Sequence, residues 1–221
     1  GLWMHIDGAF GASVVLAKKQ KQVLAGIEAA DSLSWDAHKW LFQTQGCGMV
    51  LVRDQNRLLQ SFSVHPEYLK DLEKDSSLIN PWDLSIELTR PSRCMKLWLT
   101  LQVMGSDRIS ESIDHGFEAI QWAKEAIRRN PDIEILSAEQ LPVLNFRYNP
   151  AGYSEGQKAE LNLRISEMVV ESGYAGIFTT ELNGKKVLRM CTLHPEVTKE
   201  DVLNTVRLME QYYRELVDTA L

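Results

Sequence analysis

The run Gly46-Cys47-Gly48-Met49-Val50-Leu51-Val52 narrows the folds open to this chain more than any other segment. A continuous apolar stretch opened by glycine and closed by Arg53-Asp54 has no polar face to turn to water, so it reads as a fully buried strand. The segments before it agree. Leu2 to Asp7 reads as a short buried strand, Ala17 to Ala30 as a helix with Val23, Leu24 and Ile27 on one side, and Ser32-Leu33-Ser34-Trp35 as the next strand. Strand, helix, strand and strand at these lengths predict an α/β architecture.

From Ser61 to about Arg90 the pattern breaks down, with Pro66, Asn80 and Pro81 among mixed charges and several large apolar residues. A long irregular segment inside a compact domain is expected to be functional or mobile. Helical periodicity returns from Arg93 to about Arg129 through Met95, Leu97, Trp98 and Leu101, breaks at Gly105-Ser106-Asp107, and resumes with Ile113, Phe117, Ile120 and Trp122. Asn130-Pro131-Asp132 marks a boundary. Beyond it, Ile133 to Leu136 and Val143 to Tyr148 are strand-like, and Ser154 is placed to cap an amphipathic helix reaching Ser172. Phe178 to Leu182 and Lys186 to Cys191 flank Asn183-Gly184, a strong hairpin signal. Thr198-Lys199-Glu200-Asp201 opens a last helix whose Val202, Val206, Leu208, Met209 and Leu216 supply a core face. A sheet with helices on one side is the simplest packing for this module.

Composition removes several function classes. The 221 residues carry a net charge of −6 and are 44% hydrophobic, enough for a substantial core. An acidic chain without a basic run is a poor partner for nucleic acid. Cys47, Cys94 and Cys191 are widely spaced and odd in number, which predicts neither a disulfide framework nor a metal site and fits a reducing cytoplasm. No apolar stretch approaches the roughly 18 residues of a membrane span. Because Leu2-Trp3-Met4-His5-Ile6-Asp7 reads as core strand from the outset, the residues are expected to be the C-terminal part of a longer polypeptide.

The chemistry-bearing residues cluster early. Lys39 lies between His38 and Trp40 on a short turn after a strand, with Trp35 nearby, where desolvation would favour a neutral amine able to form an imine. A lone lysine of this kind more often snorkels from an exposed turn. Asp7, at a strand end about thirty residues earlier, could pair with a cationic ring nitrogen, although such an aspartate alone is usually a turn or capping residue. Ala9 is small enough to let a planar ring lie against the backbone, and His38 could donate to a phosphate oxygen. Arg90 and Arg93 could each grip a carboxylate or phosphate, with surface ion pairing as the default. Cys47 reads as an inert buried thiol and His194-Pro195 as a turn.

Taken together, His5-Ile6-Asp7-Gly8-Ala9-Phe10-Gly11, Ala30-Asp31-Ser32 and Asp36-Ala37-His38-Lys39-Trp40 resemble the group II pyridoxal-phosphate-dependent decarboxylases of fold type I. The likeness continues through Pro66-Glu67-Tyr68-Leu69-Lys70, Leu88-Thr89-Arg90 and Lys96-Leu97-Trp98 into the C-terminal module, and is nearest to bacterial aromatic amino-acid decarboxylases, particularly those acting on tryptophan. The resemblance implies an α/β chain comprising part of the cofactor-binding large domain over 1–92, with a mobile catalytic loop at about 61–90. Linking helices over 93–130 and a small α+β C-terminal domain over 131–221 would complete it. It implies pyridoxal 5′-phosphate as cofactor, held by Lys39 as a Schiff base, with Asp7 at the pyridine nitrogen, Ala9 against a ring face and His38 near the phosphate. Tyr68 takes the motif position of the loop tyrosine that returns a proton to the substrate carbon after carbon dioxide leaves. Leu72, Trp82 and Leu88 offer apolar surface for an aromatic substrate.

Aldehyde formation with oxygen consumption occurs in related enzymes where phenylalanine replaces that tyrosine, so Tyr68 argues against it here. The resemblance also implies a homodimer in which Tyr68 and Trp82 can serve the neighbouring subunit. In the family, an upstream histidine stacks on the cofactor and upstream glycine, serine and threonine residues hold its phosphate. No matching segment is present in this sequence, so this chain alone would be expected to hold an incomplete, inactive site. The alternatives are a decarboxylase of another amino acid, or a non-catalytic fragment acting only in dimerisation. The joint presence of Asp7, His38, Lys39 and Tyr68 weighs against the latter.

Overall fold

A computed structural model describes residues 1–63, 79–137 and 140–219. They form two compact units, Gly1–Ile109 and Ser110–Leu221, whose boundary falls inside one long helix.

The first unit is built on strands β1 (His5–Asp7), β2 (Ser32–Asp36) and β3 (Gly48–Val52), in that order across the sheet. β1 runs parallel to β2 with Asp7 opposite Ser34, and β3 runs antiparallel to β2 with Gly48 opposite Asp36. Between β2 and β3 lies a single helical turn, α1 (Ala37–Trp40), and after β3 comes α2 (Gln55–Phe62), capped by the Asp54 carboxylate accepting from the Asn56 N–H at 3.0 Å. That short helix has no counterpart in the sequence reading.

Three expectations for this unit need correction. Ala17 to Ala30 is not a helix but separate 3-10 turns at Lys21–Leu24 and Ile27–Ala29, with a preceding one at Gly11–Leu16. Gly26 takes φ of 96° and Ala17 an extended conformation, so the helical ladder is cut twice. Only Val23, Leu24 and Ile27 offered an apolar stripe, and Val23 stays exposed. The first strand is shorter than read, because Leu2, Trp3 and Met4 are exposed and unpaired with β2 as strand. The strand from Gly48 is not fully buried: Val50 is 55% and Leu51 45% exposed. β3 is an edge strand of this sheet, and its two faces lack full cover among the described residues.

Helix α3 (Cys94–Ile127) contains the expected break, with Gly105 at φ 75° and ψ 164° interrupting otherwise helical backbone. Its later part joins the second unit, an antiparallel sheet in the order β4 (Ile133–Ile135), β5 (Val143–Tyr148), β7 (Lys185–Cys191) and β6 (Phe178–Leu182). Helices α4 (Glu155–Glu171) and α5 (Lys199–Asp218) complete it. Residues 144, 146 and 148 of β5 alternate onto one face, where Leu144, Phe146 and Tyr148 meet Ile120 of α3, Ile165 of α4 and Met209 of α5 in one buried cluster. Asn183 at φ 52° and Gly184 at φ 72° make the tight β6–β7 turn, both in the left-handed region that a type I′ hairpin demands. Ser154 and Thr198 each close a reciprocal capping box, with Gln157 and Asp201. Among the described residues no helix is long and apolar enough to cross a membrane.

Candidate active site

The site begins at the C-terminal end of β1, a place where parallel strands commonly present ligand-binding groups. Asp7 ends that strand with an exposed carboxylate whose Oδ1 accepts from the Ala9 N–H and the Ser34 hydroxyl, both at 3.1 Å. Gly8 is required there by space: a Cβ would stand 2.6 Å from Leu33 Cδ1 and 2.8 Å from Ala12 Cβ. The half-buried Ala9 returns the chain to β2, its carbonyl accepting the Asp36 N–H at 3.0 Å. The Asp7 carboxyl is held below the usual carboxylate range, first by the Ala9 N–H and next by the Ser34 hydroxyl, with smaller contributions from the charges of Lys39 and His5.

Turn α1 presents His38 and Lys39. The Gln43 N–H reaches back to the Ala37 carbonyl at 3.2 Å across Phe42, whose φ of 58° gives the left-handed residue that ends such a turn. Trp40 is fully buried and stacks on Phe10 with ring centroids 4.8 Å apart, pinning the turn to the segment after Asp7. His38 is tethered twice to Cys47: its N–H donates to the Cys47 carbonyl, and the Cys47 N–H donates to His38 Nδ1, each at 3.3 Å. With Nδ1 accepting, the hydrogen of a neutral ring sits on Nε2. Cys47 itself is buried, its Sγ 3.4 Å from the Arg93 carbonyl, as befits a structural thiol.

Lys39 differs from expectation in its surroundings. Its side chain is 45% exposed and its Nζ is 2.9 Å from Asp36 Oδ2, so the amine is ion-paired at the surface of this chain rather than desolvated between tryptophans. The reason is local. Trp40 is turned into the core, and the Trp35 indole is spent donating to Ser13 Oγ at 3.0 Å. Asp36 also lies 3.9 Å from His38 Nε2, and a Cβ on Gly48 would come within 3.0 Å of its Oδ1.

Asp7, Ala9, His38 and Lys39 are thus gathered at one end of the three-stranded sheet, linked by the Ala9 to Asp36 backbone bond and by the influence of the Lys39 charge on Asp7. Tyr68 and Leu72 lie outside the described residues. Trp82 sits half-buried in a 3-10 turn over Pro81–Leu84 and Leu88 is half exposed. No hydrogen bond or ion pair among the described residues joins either one to the Lys39 group. Arg93 makes a two-pronged pair with Glu87 at 2.8 and 3.0 Å, whereas Arg90 hydrogen-bonds Ser85 Oγ, at 3.3 Å. Sequence reasoning assigned no role to Ser34 or Asp36. Their signal was the polar series Ser32, Ser34, Asp36 at every second position of a strand that is otherwise apolar.

The profile of the pyridoxal-dependent decarboxylase conserved domain matches residues 1–149. The chain belongs to this family. An aromatic-L-amino-acid decarboxylase of Bacillus atrophaeus is 36% identical over 204 residues, covering 91% of this chain and 42% of that protein. An L-2,4-diaminobutyrate decarboxylase of Acinetobacter baumannii is 31% identical, over 92% of this chain and 40% of its own length. Among solved structures, Oryza sativa TDC with PLP and tryptamine superposes with a TM-score of 0.88 at 26% identity, covering 98% of this chain and 45% of that one. The described fold is therefore the mixed α/β C-terminal part of a fold-type-I decarboxylase, and the chain spans less than half the length of these relatives.

The residues present fit the family's cofactor. A pyridoxal ring needs a primary amine for its aldehyde, a carboxylate for its ring nitrogen and a small residue beside its face. Lys39, Asp7 and Ala9 supply those three groups at one sheet end, and Asp7 Oδ2 has no hydrogen-bond partner among the described residues.

Proposed function

We propose that this chain contributes Lys39, Asp7, Ala9 and His38 to the pyridoxal 5′-phosphate site of an amino-acid decarboxylase. The substrate is an aromatic L-amino acid, tryptophan first and then phenylalanine or tyrosine, converted to its amine and carbon dioxide. The observation that carries this reading is the Asp7 carboxylate, fixed through one oxygen, with no hydrogen bond to the other among the described residues and with the Lys39 charge acting on it. The bound cofactor supplies an electron sink for the pair released when the carboxylate leaves the substrate carbon. Asp7 does the protein's electrostatic share, its anionic charge favouring a protonated ring nitrogen. Lys39 Nζ must leave Asp36 and lose a proton before it can bond to carbon, and Asp36 Oδ2, 2.9 Å away, is an acceptor within reach. His38, oriented by Cys47, keeps its Nε2–H available for a phosphate oxygen. Tyr68 is the proposed donor of the proton that replaces carbon dioxide, on the strength of its motif position.

The aromatic preference is supported by the Bacillus relative and by the tryptamine-bound rice structure. The Acinetobacter relative favours a second reading, a short basic amino acid. Completion of the site by an N-terminal segment and by a second copy of the chain belongs to the same proposal. Carbon dioxide release from a panel of amino acids, measured on the native protein with everything that stays bound to this chain, decides between the substrates. Lys39→Ala is expected to remove the visible imine band and lower turnover by at least about a thousandfold. An imine band that persists in that variant would overturn the assignment of Lys39.

A further inference from the structure

Ser34 hydrogen-bonds with a single group among the described side chains, and that group is the Asp7 carboxylate. Its hydroxyl donates to Oδ1 at 3.1 Å from the position directly opposite on the paired strand. The placement is built rather than incidental. Parallel pairing of β1 with β2 sets Asp7 against Ser34, and Gly8 leaves no room for a Cβ between Leu33, Ala12 and the Ser34 carbonyl. The Ala9 N–H supplies a second donor to the same oxygen. Two donors converging on Oδ1 fix the rotation of the carboxylate, and Oδ2 has no hydrogen-bond partner among the described residues. A hydrogen bond to an exposed carboxylate adds little to folding stability, because water would serve as well. What it adds is orientation.

We infer that Ser34 is a positioning residue for the cofactor's ring nitrogen: it acts through Asp7, holding Oδ1 so that Oδ2 alone meets the ring N–H. This rests on the proposed pyridoxal 5′-phosphate site. Donation to Oδ1 also withdraws charge from the carboxylate and makes it a weaker base, so the proton shared with the ring stays on nitrogen. Asp7 then remains an anion as the pH falls into the ordinary carboxylate range, and the ring keeps its partner there.

The test compares Ser34→Ala and Ser34→Thr with the wild-type native protein, stripped of cofactor and titrated with pyridoxal 5′-phosphate at several pH values. Ser34→Ala should weaken cofactor affinity about three- to tenfold, the loss of one charge-assisted hydrogen bond at a solvent-exposed site. Its affinity should also decline with acidification at a higher pH than in the wild type, because the Asp7 carboxyl loses a group that held it low. Carbon-13 NMR of the aspartate carboxyls in cofactor-free protein should show the same upward move for Asp7. Ser34→Thr, which keeps the hydroxyl, should restore both. A Ser34→Ala protein that is folded, binds as the wild type does and keeps the wild-type Asp7 titration overturns the role of Ser34 while leaving the site intact. Wild-type protein that takes up no cofactor overturns the site and this inference together.

Discussion

The two units of the chain solve the problem of burying a sheet in opposite ways. In the second, β5 and β7 turn alternate residues onto a continuous core with α3, α4 and α5, and Phe146, Tyr148, Ile165 and Met209 are wholly enclosed. In the first, burial is concentrated around Trp40, Leu41, Ala12 and Val14, while Trp3, Val50 and Leu51 of the sheet region stand half exposed. The unit that satisfies its own core carries no candidate chemistry. Among the described residues, the unit whose sheet keeps Val50 and Leu51 half exposed carries Asp7, His38 and Lys39. Rigid packing suits a support, whereas a cofactor site needs an accessible sheet end whose polar groups a ligand can reach.

Mutations can break this contrast. Phe146→Ala, which empties a fully enclosed position, should cost the second unit about 3–5 kcal/mol in urea unfolding. A cost near zero would mean that the cluster is not the stabilising core. A smaller effect is expected at Arg147, whose side chain is 4% exposed and reaches Glu134 at 2.7 Å and Glu155 at 2.6 Å. Arg147→Met takes one cation from each of two carboxylates, but Glu134 keeps Lys185, Glu155 keeps Lys158 and both retain contact with solvent, so the loss should be about 1–2 kcal/mol rather than the larger value of a fully buried pair. Burial by itself would raise the Glu134 carboxyl; Arg147 and Lys185 outweigh it and hold the group low, and Arg147 does the same for Glu155. Groups depressed in the folded state stabilise it above the ordinary carboxylate range and cease to do so as pH falls through their lowered values. The gap between wild type and Arg147→Met should therefore close on acidification, as read by unfolding midpoints. The smallest effect is expected from Leu51→Ser on the exposed edge of the first sheet, within about 0.5 kcal/mol. A loss above about 1 kcal/mol would show that something covers that face in the native protein.

Where local chemistry dictates local shape, the sequence was legible. Asn183-Gly184 could be read as a hairpin because both residues tolerate positive φ, Ser154 as a cap and Thr198-Lys199-Glu200-Asp201 as a helix start because a side-chain oxygen there can satisfy free N–H groups. Gly105 was legible as a helix break for the same kind of reason. Ala17 to Ala30 was misread because its few apolar residues fit a helical stripe, yet Gly26 and an extended Ala17 divide it into 3-10 turns. Val50 and Leu51 were misread because hydrophobicity records what a strand is suited to meet, not what this chain lays over it.

The sequence by itself determined the residue types of the site, Asp7, Ala9, His38 and Lys39 at their spacing, and the α/β class that carries them. Only the tertiary structure decided their states. Lys39 is paired with Asp36 because one helical turn sets the ammonium three residues beyond that carboxylate. His38 is oriented by Cys47 because the chain doubles back to start β3. Asp7 is held by Ser34 because two strands 27 residues apart in sequence pair in parallel register. Residue type is a local property. Hydrogen-bond partners and exposure are set by which distant segments the fold brings alongside.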